Sequence, residues 1–190
     1  QDGQTLSIEG SDAEGVLSAV DMLDQLAKGN RPDFTGKHVV IIGGGNVAMD
    51  ATRTASRCGA ASVDIIYRRR REDMTALHHE IEGAIGEGAK LSLLLAPERF
   101  ETDEAGRVTA VIAQPQMPGP YDHHGRPRPV RAEKPEVRVP ADVVIVAVGQ
   151  AIDASCVEGS SIGLKWGRLV ADDFGVAAPG YYAGGDCVTG

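Results

Sequence analysis

Residues 38–71 read His38-Val-Val-Ile-Ile-Gly-Gly-Gly-Asn-Val-Ala-Met-Asp50, then a stretch of helical character to Gly59, then Ser62-Val-Asp-Ile-Ile-Tyr-Arg-Arg-Arg-Arg71. An apolar run, Val39 to Ile42, enters three glycines directly, and a helix-forming segment follows. The spacing fits G-x-G-x-x-[GA], with Gly43, Gly45 and Ala48 at the key positions. Each residue type has a mechanical task in such a loop. Gly43 permits a tight turn, Gly45 lets backbone approach a pyrophosphate, and Ala48 lets the helix pack on the strand. The helix start then offers free N–H groups and the positive end of its dipole to phosphate. A bare Gly-rich strand-to-helix turn would need none of this, and the strand before and helix after favour dinucleotide binding.

The next strand indicates which dinucleotide. An NAD site places an Asp or Glu about 20 residues past the loop, on the ribose hydroxyls. Here Tyr67-Arg68-Arg69-Arg70-Arg71 stands at that point. A carboxylate would repel a 2′-phosphate, whereas a guanidinium fork binds it through charge-assisted hydrogen bonds. The substitution predicts NADP(H), with Arg68 and Arg69 on the 2′-phosphate. A solvated basic loop is the plain alternative.

The chain of 190 residues has a net charge of −8, which argues against nucleic acid or an anionic membrane surface as partner. No apolar stretch approaches the ~18 residues of a membrane span and no leader opens the sequence. A soluble, cytoplasmic protein is expected. Cys58, Cys156 and Cys187 form no C-x-x-C, so free thiols are expected rather than a dithiol or zinc centre. His78-His79 point about 100° apart on a helix and make a poor chelate, and His123-His124 sit in a Pro-rich loop without further ligands. No metal site is expected.

Along the chain, Val16 to Leu26 has helical periodicity, closed by Gly29-Asn30-Arg31-Pro32. A first strand is expected at Lys37 to Ile42, a helix at Asn46 to Cys58 with Ala48, Ala51 and Ala55 inward, and a strand at Ser62 to Tyr67. Met74 to Gly88 reads as a helix with Leu77, Ile81 and Ile85 inward, and Lys90 to Ala96 as a third strand. Strands alternating with helices imply a parallel sheet. Arg99 to Thr102, Arg107 to Gln114 and Val130 to Val139 then read as antiparallel strands, with a hairpin turn at Asp103 to Gly106. Met117 to Pro129 reads as a long loop. Ala141 to Val148 is a buried strand ending in Gly149-Gln150. The fold class is therefore α/β: a Rossmann-like parallel sheet flanked by helices, with an antiparallel β-meander inserted.

Four stretches in order, Val39-Val-Ile-Ile-Gly-Gly-Gly-Asn-Val-Ala-Met-Asp50, Tyr67-Arg-Arg69, Ala141-Asp-Val-Val-Ile-Val-Ala-Val-Gly-Gln150 and Tyr182-Ala-Gly-Gly-Asp-Cys187, closely resemble the glutamate synthase small (beta) subunit. That family lies in the pyridine nucleotide-disulfide oxidoreductase superfamily, and the resemblance covers nearly the whole chain. It implies a domain of residues 34–149 that binds NADP(H), inserted into an FAD-binding domain. Residues 1–33 and 150–190 would then be fringes of the flavin domain, as linker and return segment. By position, Gly44, Gly45, Asn46 and Val47 would meet the pyrophosphate, and Arg68 and Arg69 the 2′-phosphate. Ala147, Val148, Gly149 and Gln150 would lie beside the nicotinamide, and Asp186 would bond the ribityl chain of FAD, with Gly185 allowing close approach.

The implied activity is hydride transfer from NADPH to FAD, with electrons passing on to iron–sulfur centres in a larger catalytic subunit or iron–sulfur protein. No residue is required here as a catalytic acid or base. The family's own FAD-binding Gly-rich loop and cluster-binding cysteines are absent from the sequence. With its start at Gln1 and end at Gly190, the chain is expected to be a fragment that binds NADP(H), lacks FAD and is inactive alone. A non-catalytic dinucleotide-binding regulatory module is the alternative, against which the Gly185-Asp186 segment speaks.

Overall fold

The computed structural model describes residues 2–3, 6–122, 125–165 and 167–189. In chain order the elements are β1 (Asp2–Gly3), β2 (Val16–Ser18), α1 (Ala19–Ala27), β3 (His38–Ile42), α2 (Asn46–Arg57) and β4 (Ser62–Tyr67). After a 3₁₀ turn at Arg71–Asp73 come α3 (His78–Gly86), β5 (Lys90–Leu93), β6 (Leu95–Thr102), β7 (Val108–Tyr121), β8 (Pro127–Arg131), β9 (Val137–Pro140) and β10 (Val143–Val146). The last stretch holds β11 (Gln150–Ala151), β12 (Leu164–Lys165), β13 (Arg168–Leu169), β14 (Val176–Ala178), β15 (Tyr181–Tyr182) and α4 (Asp186–Thr189). Two compact units result, one of residues 3–149 and one of residues 150–190 with 1–2.

The larger unit has three layers. Its centre is a five-stranded parallel sheet in the order β2-β10-β3-β4-β5, with Ile42 level with Ile66 on one side and Val146 on the other. Alternate side chains serve opposite faces of a strand. Val39, Ile41, Val63, Ile65, Val143 and Ile145 pack on the helices, where Ala48, Ala51 and Ala55 of α2 are fully buried. Val40, Ile42, Ile66, Val144 and Val146 meet Phe100, Val111 and Val139 of the antiparallel sheet β6-β7-β8, to which β9 is joined through β7. Cover on both faces is why β3 and β10 are apolar at successive positions rather than at alternate ones. Each fully buried Val or Ile contributes about 1.5–3 kcal/mol, which makes this sheet the main source of the unit's stability.

Several elements differ from the sequence expectation, each for a visible reason. The helix expected from Val16 begins at Ala19, because Val16–Ser18 add the edge strand β2 to β10. Ser18 then caps α1, its Oγ accepting from the Asp21 N–H at 3.3 Å. The helix expected from Met74 starts at His78 instead. Thr75 and Ala76 donate their N–H groups to the Gly44 carbonyl, Leu77 donates to Asn46 Oδ1, and Leu77 is left exposed. The strand expected over Lys90 to Ala96 is broken at Leu94, whose φ of +55° swings the chain from the parallel sheet into the antiparallel one.

Met117 to Pro129, read as a loop, is largely strand. Pro118 faces Pro129 across the β7–β8 pair, where neither needs an N–H for an antiparallel ladder. The Val130 to Val139 strand is two, β8 and β9. The turn at Asp103 to Gly106 forms as expected, with Gly106 at φ +79° and its N–H bonded to the Asp103 carbonyl.

In the smaller unit, β12 pairs with β13 and β14 with β15, both antiparallel, and Arg168 Nη1 donates to the Thr189 carbonyl at 2.7 Å.

Candidate dinucleotide-binding site

Ligands of an open parallel sheet collect at the carboxyl ends of its strands, where the strand order reverses. From β3 the chain moves outward through β4 to β5, and it returns on the other side as β10. The switch point is thus between β3 and β10, and the residues that follow their carboxyl ends are Gly43 and Ala147. The Ala147 N–H bonds the Ile42 carbonyl at 2.8 Å, and the Gly43 N–H bonds the Ile66 carbonyl at 3.1 Å. These bonds tie the Gly loop to its neighbours on both sides.

The three glycines have distinct surroundings. A Cβ on Gly43, at φ +146°, would stand 2.3 Å from the Ala147 carbonyl oxygen. One on Gly44 would strike the Tyr67 ring at 2.6 Å, a ring fixed by its hydroxyl donating to the Asp73 carbonyl at 2.8 Å. At Gly45 the nearest atom is Thr75 Oγ1, at 3.4 Å, so this residue faces open space. Gly45 is also the N-cap of α2, without a side-chain cap bond. The first N–H of α2 bonded to the chain is that of Ala48, to the Gly45 carbonyl at 3.0 Å. Among the described residues, the N–H groups of Gly45, Asn46 and Val47 meet no protein acceptor, which is the donor set a phosphate needs. Ala48 is fully buried beneath them.

The arginines divide. Arg68 is exposed and has no ion-pair partner among the described residues. Arg69, expected beside it on a phosphate, is turned elsewhere. Its Nε donates to the Pro127 carbonyl at 3.1 Å, its Nη2 lies 3.5 Å from Asp122 Oδ2, and its side chain is only 11% exposed. Arg70 grips the buried Asp73 through Nε at 2.9 Å and Nη2 at 3.1 Å. Those hydrogen bonds hold the Asp73 carboxyl below its usual range. Arg71 pairs with Glu82. A run of four like residues therefore offers one open guanidinium, and local sequence holds no sign of which one. Thr75, whose Oγ1 a Cβ on Gly45 would meet at 3.4 Å, borders the same space.

The remaining expected positions are spread over both units. Val148 and Gly149 are exposed after β10, with Gly149 at φ +135°, a conformation that demands glycine. Gln150 starts β11 in the smaller unit, and its side chain lies outside the described residues. Gly185, at φ +69°, and exposed Asp186 open the four-residue α4, and Gly185's carbonyl accepts from the Val188 and Thr189 N–H groups. His78 and His79 are exposed, each near a glutamate of its own helix. His123 and His124 lie outside the described residues. Among the described residues no group of three or more His, Cys, Asp or Glu gathers as a metal site would require, and no helix is long and apolar enough to cross a membrane.

The family model for pyridine nucleotide-disulphide oxidoreductases matches residues 2–190. The chain belongs to this family. Among its relatives is the beta subunit of an NADP(+)-dependent formate dehydrogenase from Moorella thermoacetica, 38% identical over 178 residues, which cover 93% of this chain and 25% of that protein. The small chain of an NADPH glutamate synthase from Azospirillum brasilense is 39% identical over 160 residues, 82% of this chain and 33% of that one. The chain thus spans a quarter to a third of these two relatives. Thioredoxin reductase of T. acidophilum shares the fold, with a TM-score of 0.74 at 21% identity over 99% of this chain and 55% of that one. Family membership and this structural likeness agree with the α/β architecture, and the family match takes in the Gly43–Gly45 loop and the segments around it.

Proposed function

We propose that this chain binds NADP(H) as part of a flavoprotein oxidoreductase that passes hydride from NADPH to FAD and on to iron–sulfur centres, in the manner of a glutamate synthase small subunit. On this reading residues 34–149 are the NADP(H)-binding domain and residues 150–190 belong with the flavin-binding part, while of the N-terminal stretch 1–33, expected as a flavin-domain fringe, β2 and α1 pack in the same unit as residues 34–149. The observation that carries the proposal is the exposed Arg68 at the end of β4, where an NAD site needs a carboxylate, next to the open N–H groups of α2. The pyrophosphate fits the space over Gly45, the one glycine of the three whose Cβ would meet no protein atom closer than 3.4 Å. Flavin, when bound in such proteins, supplies the redox chemistry, while the chain supplies binding and orientation. Gly185 and Asp186 are the flavin-directed residues that the resemblance assigns to this chain.

Calorimetric titration tests this. The unmodified chain should bind NADPH more tightly than NADH, and Arg68→Ala should remove most of the difference. A charge-assisted hydrogen bond of about 1.5–3 kcal/mol corresponds to roughly 10- to 150-fold in affinity. Equal affinity for the two nucleotides in the unmodified chain overturns the proposal. Purified protein is expected to be colourless, and stoichiometric bound flavin would show that more of the flavin site resides here than Gly185 and Asp186.

A further inference from the structure

Arg69 is held from three directions. Its carbonyl accepts from the Leu94 N–H at 3.2 Å, its Nε donates to Pro127, and its Nη2 faces Asp122. Leu94 is the sole non-glycine residue with positive φ among the described residues, and its carbonyl in turn accepts from Gln116 of β7 at 2.7 Å. Non-glycine residues in that conformation persist where the surroundings over-determine them, and they cluster at functional sites. All these bonds serve one end: they bring the β7–β8 hairpin against the segment that follows β4. Leu94, Met117, Pro118, Pro127 and Pro129 thereby line one side of the arginine run. Met117 is nevertheless half exposed, an apolar side chain presented at the rim.

We propose that Arg69 is a positioning residue, which latches the β7–β8 hairpin so that its apolar face forms the wall against which the adenosine half of the nucleotide lies. The inference rests on the NADP(H) reading. With pyrophosphate over Gly45 and the ribose beside Arg68, the base extends past the end of β4 toward β5, and Leu94 with the hairpin stands on that side. Arg68 reads the 2′-phosphate, and Arg69 reads none of the nucleotide. A planar purine fits such a wall of Leu, Met and Pro side chains, since these sites are mostly apolar with few polar groups. The wall meets the part that NADPH and NADH share, so the latch governs affinity for both, while Arg68 governs the choice between them.

The test is titration of the whole chain with NADPH, NADH and 2′,5′-ADP, the last carrying the adenosine half alone. Arg69→Ala should weaken all three together, by roughly tenfold, with the NADPH-to-NADH ratio unchanged. Arg69→Lys should behave like alanine, because an ammonium retains the charge but lacks the fork that engages Pro127 and Asp122 together. In both variants the amides of Arg128, Val130 and Arg131 should exchange with solvent faster. Met117→Ala, which touches none of these bonds and leaves the latch in place, should weaken all three ligands severalfold at a constant ratio.

A selective loss of NADPH in Arg69→Ala, or wild-type behaviour in Arg69→Lys, would show Arg69 on the phosphate and overturn the latch. Unchanged affinities in Arg69→Ala and Met117→Ala beside a normally binding parent would overturn it too, leaving the NADP(H) reading intact. Failure of the unmodified chain to bind any of the three overturns both.

Discussion

A Cβ on Gly43 would stand 2.3 Å from the carbonyl oxygen of Ala147, so the turn after β3 and the end of β10 are in contact through bare backbone. Neither partner can yield easily, since Ala147 is tied to Ile42 and Gly43 to Ile66. Gly43→Ala combines this clash with a φ of +146° that an L side chain resists. Strain and overpacking together should cost on the order of 2–5 kcal/mol. At a domain of this size that lowers the melting temperature by roughly 2–4 °C per kcal/mol. Gly45→Ala is the contrasting case. Its φ of −98° suits alanine and its Cβ meets nothing closer than Thr75 Oγ1 at 3.4 Å. It should melt like the parent yet bind NADPH poorly, because the methyl takes the space of the phosphate. A Gly45→Ala protein that binds NADPH normally would show that the pyrophosphate lies elsewhere.

Asp73 anchors the segment that lies over the Gly loop. Its carboxylate takes hydrogen bonds from Arg70 Nε and Nη2 and, at 3.3 Å, from the Arg70 N–H, and its pKa is lowered by them. A depressed folded-state pKa means that the contribution is present above the unfolded value of about 3.9 and fades as pH falls through the folded one. Asp73→Asn should therefore destabilise the protein at pH 7, by about 1–2 kcal/mol. Below about pH 4 the gap between variant and parent should close. Urea titrations at pH 7 and in that acid range measure it, and a gap that persists undiminished in acid would exclude the charge as its origin.

At Leu94 the backbone, not the side chain, decides. Valine has similar polarity, but β-branching makes a φ of +55° still less favourable. Leu94→Val should destabilise the unit by about 1–3 kcal/mol and loosen the β7–β8 hairpin. Hydrogen exchange at the Gln116 amide, which bonds the Leu94 carbonyl, reports the loosening directly. Unchanged protection there would mean that the bend at Leu94 is not what holds the hairpin.

What could be read from sequence was local. The strand Ser62–Tyr67 is found where expected, and α2 runs from Asn46 with Ala48, Ala51 and Ala55 buried, because a period-3.6 stripe and a short run rich in Val, Ile and Tyr each announce themselves within a dozen residues. The Val16–Ser18 strand did not, since Val16, Val20 and Leu23 also fit one helical face, and only pairing with Val144–Val146 decides otherwise. Proline density hid the β7–β8 hairpin for a similar reason, as the ladder that tolerates Pro118 opposite Pro129 is invisible along the chain. At the site, the Gly loop was legible because its chemistry is contiguous. Which arginine stays open was not, because the partners that hold Arg69 are 53 and 58 residues away. Charge runs declare a sign, and tertiary structure decides which members stay open.

Gly149 separates two readings of the segment after β10. If it served only to admit the nicotinamide, its backbone would need no special conformation. Its φ of +135° shows that glycine is required for the path of the chain itself. Yet its setting is looser than that of Gly43. Gly149 is exposed and lies two residues past the last bond from this segment to β3, the Ala147 N–H to Ile42. Gly43, in contrast, is enclosed by β4, β10 and the start of α2. Strain that can relax into solvent costs less than strain held on three sides, so Gly149→Val should cost about 1–2 kcal/mol, below Gly43→Ala. The relaxed segment should be cut faster by protease around 148–152, while amides of β10 remain protected, since their bonds to β2 and β3 are untouched. Paired melting curves and a proteolysis time course check both halves. A loss as large as that of Gly43→Ala, with β10 amides exposed, would mean that the turn at Gly149 supports the whole parallel sheet.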